Sequence, residues 1–121
     1  MREHTYIGNL LRSRYIIVDE SYLNEYVDLC LSKALPTKIR FETECHHILP
    51  KCNRAFPEFR KAKWNLVHLR FADHVHAHYL LYKATRAAEF AAAMVFTLGN
   101  SCAFPRTDAE LLDILPIIEK I

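Results

Sequence analysis

No Cys-x-x-Cys pair occurs in the 121 residues, although four cysteines are present: Cys30, Cys45, Cys52 and Cys102. Scattered in this way they read as reduced intracellular thiols, and a cysteine-based structural zinc lacks its usual spacing. The start of the chain, Met1-Arg2-Glu3-His4, has no signal-peptide pattern. A long uncharged run is also missing, because the stretch from Ala87 to Cys102 is interrupted by Glu89 and too short to span a bilayer. Surplus charge is small, at +2, so a nucleic-acid partner has to be argued from how charge is distributed. Neither an internal repeat nor a low-complexity tract is visible. The remaining composition, 51% apolar and 25% charged, is that of one soluble globular domain over residues 1–121, expected in the cytoplasm without membrane attachment.

What the chain does have is histidine, concentrated in one place. Six of its seven histidines (His46, His47, His68, His74, His76 and His78) fall between Glu44 and Tyr79. Neutral imidazole is the commonest metal ligand and the one unperturbed side-chain base that titrates near neutrality, so such a cluster indicates a site.

The elements around it follow from periodicity. Thr5 to Val18 is ambiguous: Tyr6, Leu10 and Leu11 have partial helical spacing, while Tyr15-Ile16-Ile17-Val18 reads as strand or buried helix. Asp19 or Ser21 caps a helix whose stripe is Leu23, Tyr26, Val27, Cys30 and Ala34, stopped by Pro36. Ile39, Phe41 and Thr43 alternate with charged residues, which predicts a half-buried strand over 37–44 that delivers the chain to His46 and His47. Pro50 ends regular pairing. Trp64 to Leu69 is a second strand-like run, with Trp64 expected in buried packing and Phe56 or Trp64 as alternative stacking surfaces for bases. A long helix then runs from Phe71 to about Leu98, stopped by Gly99-Asn100, and Thr107-Asp108-Ala109-Glu110 opens a last helix carrying Leu111, Leu112 and Leu115.

His74 and His78 are four apart on the long helix, so they project from one face and form half of a metal site. His46 and His47 are adjacent on a strand, and successive strand residues point to opposite faces. One of the pair can turn inward to the helix while the other stays beside it, which places a neutral base next to a metal ion. His76 points away from this face, and His68 reads as a hydrogen-bonded strand histidine. Between the halves, 51–63 carries Lys51, Arg54, Arg60, Lys61 and Lys63 against the single acid Glu58, a local positive surface suited to phosphate.

Glu44-Cys45-His46-His47-Ile48-Leu49-Pro50, Asn65-Leu66-Val67-His68-Leu69, and His74 with His78 together resemble the HNH endonucleases, closest to the phage and intron-encoded homing enzymes. The resemblance covers about a third of the chain and implies an α+β fold. A ββα-metal motif at approximately 38–82, with a short two-stranded β-hairpin, would be flanked by N-terminal and C-terminal helices. It implies that His46, His74 and His78 hold one divalent metal ion (Mg, Mn, Ni or Zn), that His47 is the general base, and that Asn65 holds the loop and orients His47. The implied activity is hydrolysis of double-stranded DNA to 5′-phosphate and 3′-hydroxyl ends, in a bacterial or phage-infected cell, by a monomer that nicks or a homodimer that cuts both strands. Some relatives ligate metal through the asparagine position, but three histidines already leave a coordination position for phosphate or water. Three imidazoles favour Zn²⁺, Ni²⁺ or Co²⁺ over Mg²⁺ in affinity. Two alternatives share these residues: a catalytically silent zinc-stabilised nucleic-acid-binding module, and a toxin-type nuclease.

Overall fold

The computed structural model describes residues 2–39, 42–51 and 54–98. It is α+β: the described residues form four α-helices and one two-stranded antiparallel sheet. The helices are α1 (Arg2–Arg14), α2 (Glu20–Lys33), α3 (Phe71–Thr85) and α4 (Ala88–Leu98), and the strands are β1 (Thr43–His47) and β2 (Leu66–Arg70).

α1 resolves the ambiguous beginning, placing Ile7 and Leu11 in the core. Tyr15-Ile16-Ile17-Val18 is neither strand nor helix. Tyr15 N still donates to Leu11 O of α1, at 2.9 Å, while Val18 N and the following Asp19 N donate to Ala84 O at the end of α3, at 2.7 and 3.2 Å. Two residues of the run, Tyr15 and Ile17, pack on the core, while Ile16 is 84% exposed. Asp19 then caps α2, accepting from Ser21 N and Tyr22 N, an arrangement worth about 1 kcal/mol. The expected stripe buries Leu23, Tyr26, Val27 and Cys30 against Val75, Leu80, Leu81 and Ala84 of α3.

The first strand lies later than its alternation predicts. Residues 37–39 are not strand, and Ile39 sits in a turn in which Thr43 Oγ1 donates to Ile39 O and Glu42 N donates to the same carbonyl, both at 3.1 Å. Backbone donors there are used within the turn, so ladder pairing begins only at Thr43. From there the register runs Thr43↔Arg70, Glu44↔Leu69, Cys45↔His68, His46↔Val67 and His47↔Leu66. The predicted strand at Trp64 also starts late. Lys63–Asn65 is a single 3₁₀ turn, which leaves Trp64 42% exposed rather than buried, edge-on to Tyr6 and tilted on Phe59. Phe56, by contrast, is buried beneath the Arg14 guanidinium and cannot reach a base.

The long helix expected from 71 to about 98 is two. Arg86 adopts the left-handed conformation (φ 57°) and donates its N–H to Tyr82 O, closing α3, while Thr85 Oγ1 donates to Leu81 O and accepts from Ala87 N. A non-glycine residue in this region costs roughly 1 kcal/mol. Folding α4 back brings Phe90 and Met94 into the core, which offsets that cost. No helix among the described residues is long and apolar enough to cross a membrane. Phe41, Cys52, the Gly99-Asn100 stop, Cys102 and the last helix from Thr107 lie outside the described residues.

Candidate metal centre

β1 alternates as a strand must, so Glu44 and His46 share the face turned to α3 while Cys45 and His47 share the other. His46 is buried, and its ring lies 5.2 Å from that of His74 and 5.1 Å from that of His78, centroid to centroid. His74 and His78, one helical turn apart, have centroids 4.7 Å apart. One ligand nitrogen from each of the three histidines falls within 4.8 Å of the others, the spacing of a set that can converge on one ion.

The donors are prepared from outside. Glu44 Oε1 accepts from His74 Nδ1–H at 2.8 Å, both side chains being nearly buried. This leaves Nε2 of neutral His74 as its lone-pair nitrogen, the carboxylate–imidazole arrangement found behind metal-ligating histidines. His78 Nε2 lies 3.1 Å from His74 Nε2, so His78 donates its proton there. Transfer of that proton to Nδ1 of the same ring would leave both Nε2 lone pairs converging on a shared ion. His78 Nδ1 is buried with no hydrogen-bond partner among the described residues, so no hydrogen bond on that side of the ring fixes its tautomer. This donor set fits a divalent ion of the zinc or nickel kind.

Electrostatics keep His46 and His78 neutral. Burial, and then the neighbouring His78, His74 and His47, push His46 well below its ordinary value. Burial and then His74 lower His78 to about 3, with Glu44 opposing. His47, on the other face of β1, is half-buried and also lowered, first by burial and then by Lys51, while a hydrogen bond to the Arg60 backbone acts the other way. A neutral imidazole with one nitrogen anchored on a carbonyl keeps its second nitrogen free as a base.

Asn65 is fully buried and spends its side chain on the loop. Its Oδ1 accepts from Leu49 N at 2.6 Å, and its Nδ2 donates to Leu49 O at 3.2 Å and Phe59 O at 3.1 Å. Both anchor points neighbour His47: Leu49 follows it by two residues, and Phe59 precedes the Arg60 carbonyl that the ring uses. Lys51, Arg54, Arg60, Lys61 and Lys63 are all exposed. The loop's one acid, Glu58, pairs with Arg14 of α1, which also donates to Ala55 O at 2.5 Å.

A cleft of about 530 Å³ opens over the histidines, walled by β1 and Lys51 on one side and by Leu81, Phe90, Ala93 and Thr97 on the other. His68 and His76 stay out of the cluster. His68 faces Cys45 across the sheet with Nδ1 3.6 Å from Sγ, and His76 packs near Tyr79. Two residues of the site do not stand out as site residues in sequence. Glu44 opens the quoted histidine motif but has no role assigned to it there, and Tyr26, whose hydroxyl lies 2.8 Å from His46 Nε2, is only one apolar position of a helical stripe. Comparison with family models, with curated proteins and with solved structures finds no match to this chain.

Proposed function

We propose that the chain is a metal-dependent endonuclease of the HNH type that hydrolyses phosphodiester bonds of double-stranded DNA to 5′-phosphate and 3′-hydroxyl ends. The observation that carries this reading is a division of labour between adjacent residues. His46 belongs to a convergent set with His74 and His78, whereas His47 faces the other way, beside Lys51 and the Arg60 backbone. A structural zinc site needs no such second imidazole. It is usually closed by four protein ligands rather than three.

On this reading β1, β2 and α3 form a ββα-metal unit. A divalent ion held by His46, His74 and His78 would supply Lewis-acid stabilisation of charge on the scissile phosphate and the departing oxygen. His47, neutral at pH 7, takes the proton of the attacking water. Asn65 holds the two loop segments on either side of that ring, which keeps the base in place. Lys51 lines the cleft and Arg54, Arg60, Lys61 and Lys63 are exposed to solvent; on this reading these five cations hold the phosphate backbone.

Supercoiled-plasmid cleavage tests the reading, with chelator-treated protein given Mg²⁺, Mn²⁺, Ni²⁺ or Zn²⁺ in separate reactions. Ion-dependent nicking that His47→Ala abolishes, while the variant still binds the ion, is the expected result. No cleavage with any ion, combined with tight binding and a melting temperature that collapses on chelation, would instead indicate a structural zinc module.

A further inference from the structure

The Tyr26 side chain is fully buried on α2, outside the segment that carries the histidines, and its hydroxyl stands 2.8 Å from His46 Nε2. The same hydroxyl donates to Ile48 O at 2.5 Å. A carbonyl only accepts, and a phenol has one proton, so that proton is committed to Ile48. Towards His46 the phenol oxygen can then only accept, which requires a proton on Nε2. A neutral imidazole with Nε2 protonated has its lone pair on Nδ1.

We propose that Tyr26 is a positioning residue for the metal centre: its hydroxyl holds His46 in the Nε2–H tautomer and so reserves Nδ1 of that ring for the ion. The inference rests on the histidine set being a metal site but does not depend on cleavage of nucleic acid. It completes a pattern in which two ligands are oriented through opposite nitrogens. Glu44 takes Nδ1–H of His74 and leaves Nε2, while Tyr26 takes Nε2–H of His46 and leaves Nδ1. Two short bonds from one buried hydroxyl, one to the ligand and one to the backbone two residues beyond it, also tie the ring angle to the end of β1. Partners of this kind change metal affinity by about 10- to 100-fold when removed.

The test reads protonation directly. Nitrogen-15 NMR of the histidine side chains, on the full chain after chelator treatment, should show the His46 proton on Nε2, and added Zn²⁺ should perturb Nδ1 of His46 but Nε2 of His74. In Tyr26→Phe the His46 ring should lose its single tautomer, and Zn²⁺ affinity measured by chelator competition should fall about 10- to 100-fold. Leu23→Ala is the control, because this buried residue of the same helix has no polar contact with the site. It should lower stability while leaving affinity within about twofold and the tautomer unchanged. A proton on Nδ1 of His46 in the unmodified chain, no Zn²⁺ binding by that chain, or a Tyr26→Phe affinity within about twofold of the original would each overturn the inference. Should Tyr26→Phe not fold, the tautomer of the unmodified protein decides alone. A chain that shows the tautomer and binds Zn²⁺ yet leaves plasmid intact would keep this inference and remove the nuclease reading. Plasmid cleavage with Tyr26→Phe affinity unchanged would do the reverse.

Discussion

Glu44 and His74 are thirty positions apart, yet the carboxylate of one receives the Nδ1 proton of the other at 2.8 Å. The contact links the strand that carries one candidate ligand to the helix that carries two, and it lies in nearly buried surroundings where a charge-assisted bond is strong. Glu44→Gln keeps the shape but loses the charge. Zn²⁺ or Ni²⁺ affinity should fall about 10-fold with the fold intact by circular dichroism. Unchanged affinity in a competition titration would show that Glu44 does not tune His74.

Acid should unfold the chelator-treated chain earlier than its size suggests. His46 and His78 are both depressed below 6.5, His78 to about 3. The folded state therefore binds fewer protons than the unfolded state as pH falls below 6.5. Stability from these two groups is fully present above 6.5 and is lost progressively as pH drops toward their folded values. At pH 5.5 His78 alone contributes a loss on the order of 1 kcal/mol, and His46 adds to it in the same direction. Urea midpoints measured from pH 7.5 to 5 should decline accordingly, and His78→Gln should flatten the decline. Added Zn²⁺ should raise the midpoint strongly at pH 7.5 and little at pH 5, since ligation requires unprotonated rings.

Asn65→Ala removes three hydrogen bonds to the loop backbone and leaves Leu49 N without its side-chain acceptor. The expected cost is about 3 kcal/mol in chemical denaturation. Metal affinity should change much less than plasmid cleavage, because the loop holds the His47 ring and not the three clustered histidines. Equal losses in both would place Asn65 at the ion instead.

Removing loop cations should weaken DNA binding without altering ion affinity. Each of Lys61→Ala and Lys63→Ala should reduce the slope of log K against log salt by about 1 if the residue touches phosphate. Arg14→Ala should weaken binding as well, although Arg14 lies on α1, by freeing the Glu58 carboxylate inside the positive surface. Binding measured by fluorescence anisotropy at several salt concentrations separates these outcomes.

The local sequence was sufficient for the parts whose physics is local. Asp19 caps a helix because its side chain reaches amides two and three residues on. His74 and His78 share a face because a helix turns once in 3.6 residues. His46 and His47 part company because strand side chains alternate. These short-range rules left open which of His46 and His47 turns inward; the resemblance pointed to His46, and the structure brings it together with His74 and His78.

Rules of that range fail where distant segments compete for the same groups. The alternation of Ile39, Phe41 and Thr43 predicts a strand, but a strand needs a partner, and β2 offers one only from Thr43 onward. Ala84 to Leu98 favours one uninterrupted helix, yet the chain turns at Arg86 so that Phe90 and Met94 reach the core. Trp64 looks like a core aromatic until the 3₁₀ turn before β2 leaves it partly in solvent.

By itself the sequence determined which histidines share a face of their own element and which part company, because side-chain direction is fixed by backbone period. Only the tertiary structure decided what stands behind them. Tyr26 reads as one more apolar position on a helix, and Glu44 as a motif acid without a partner, until the fold brings the hydroxyl to His46 and the carboxylate to His74. Hydrogen bonds of this kind span twenty to thirty positions, and no local period encodes them.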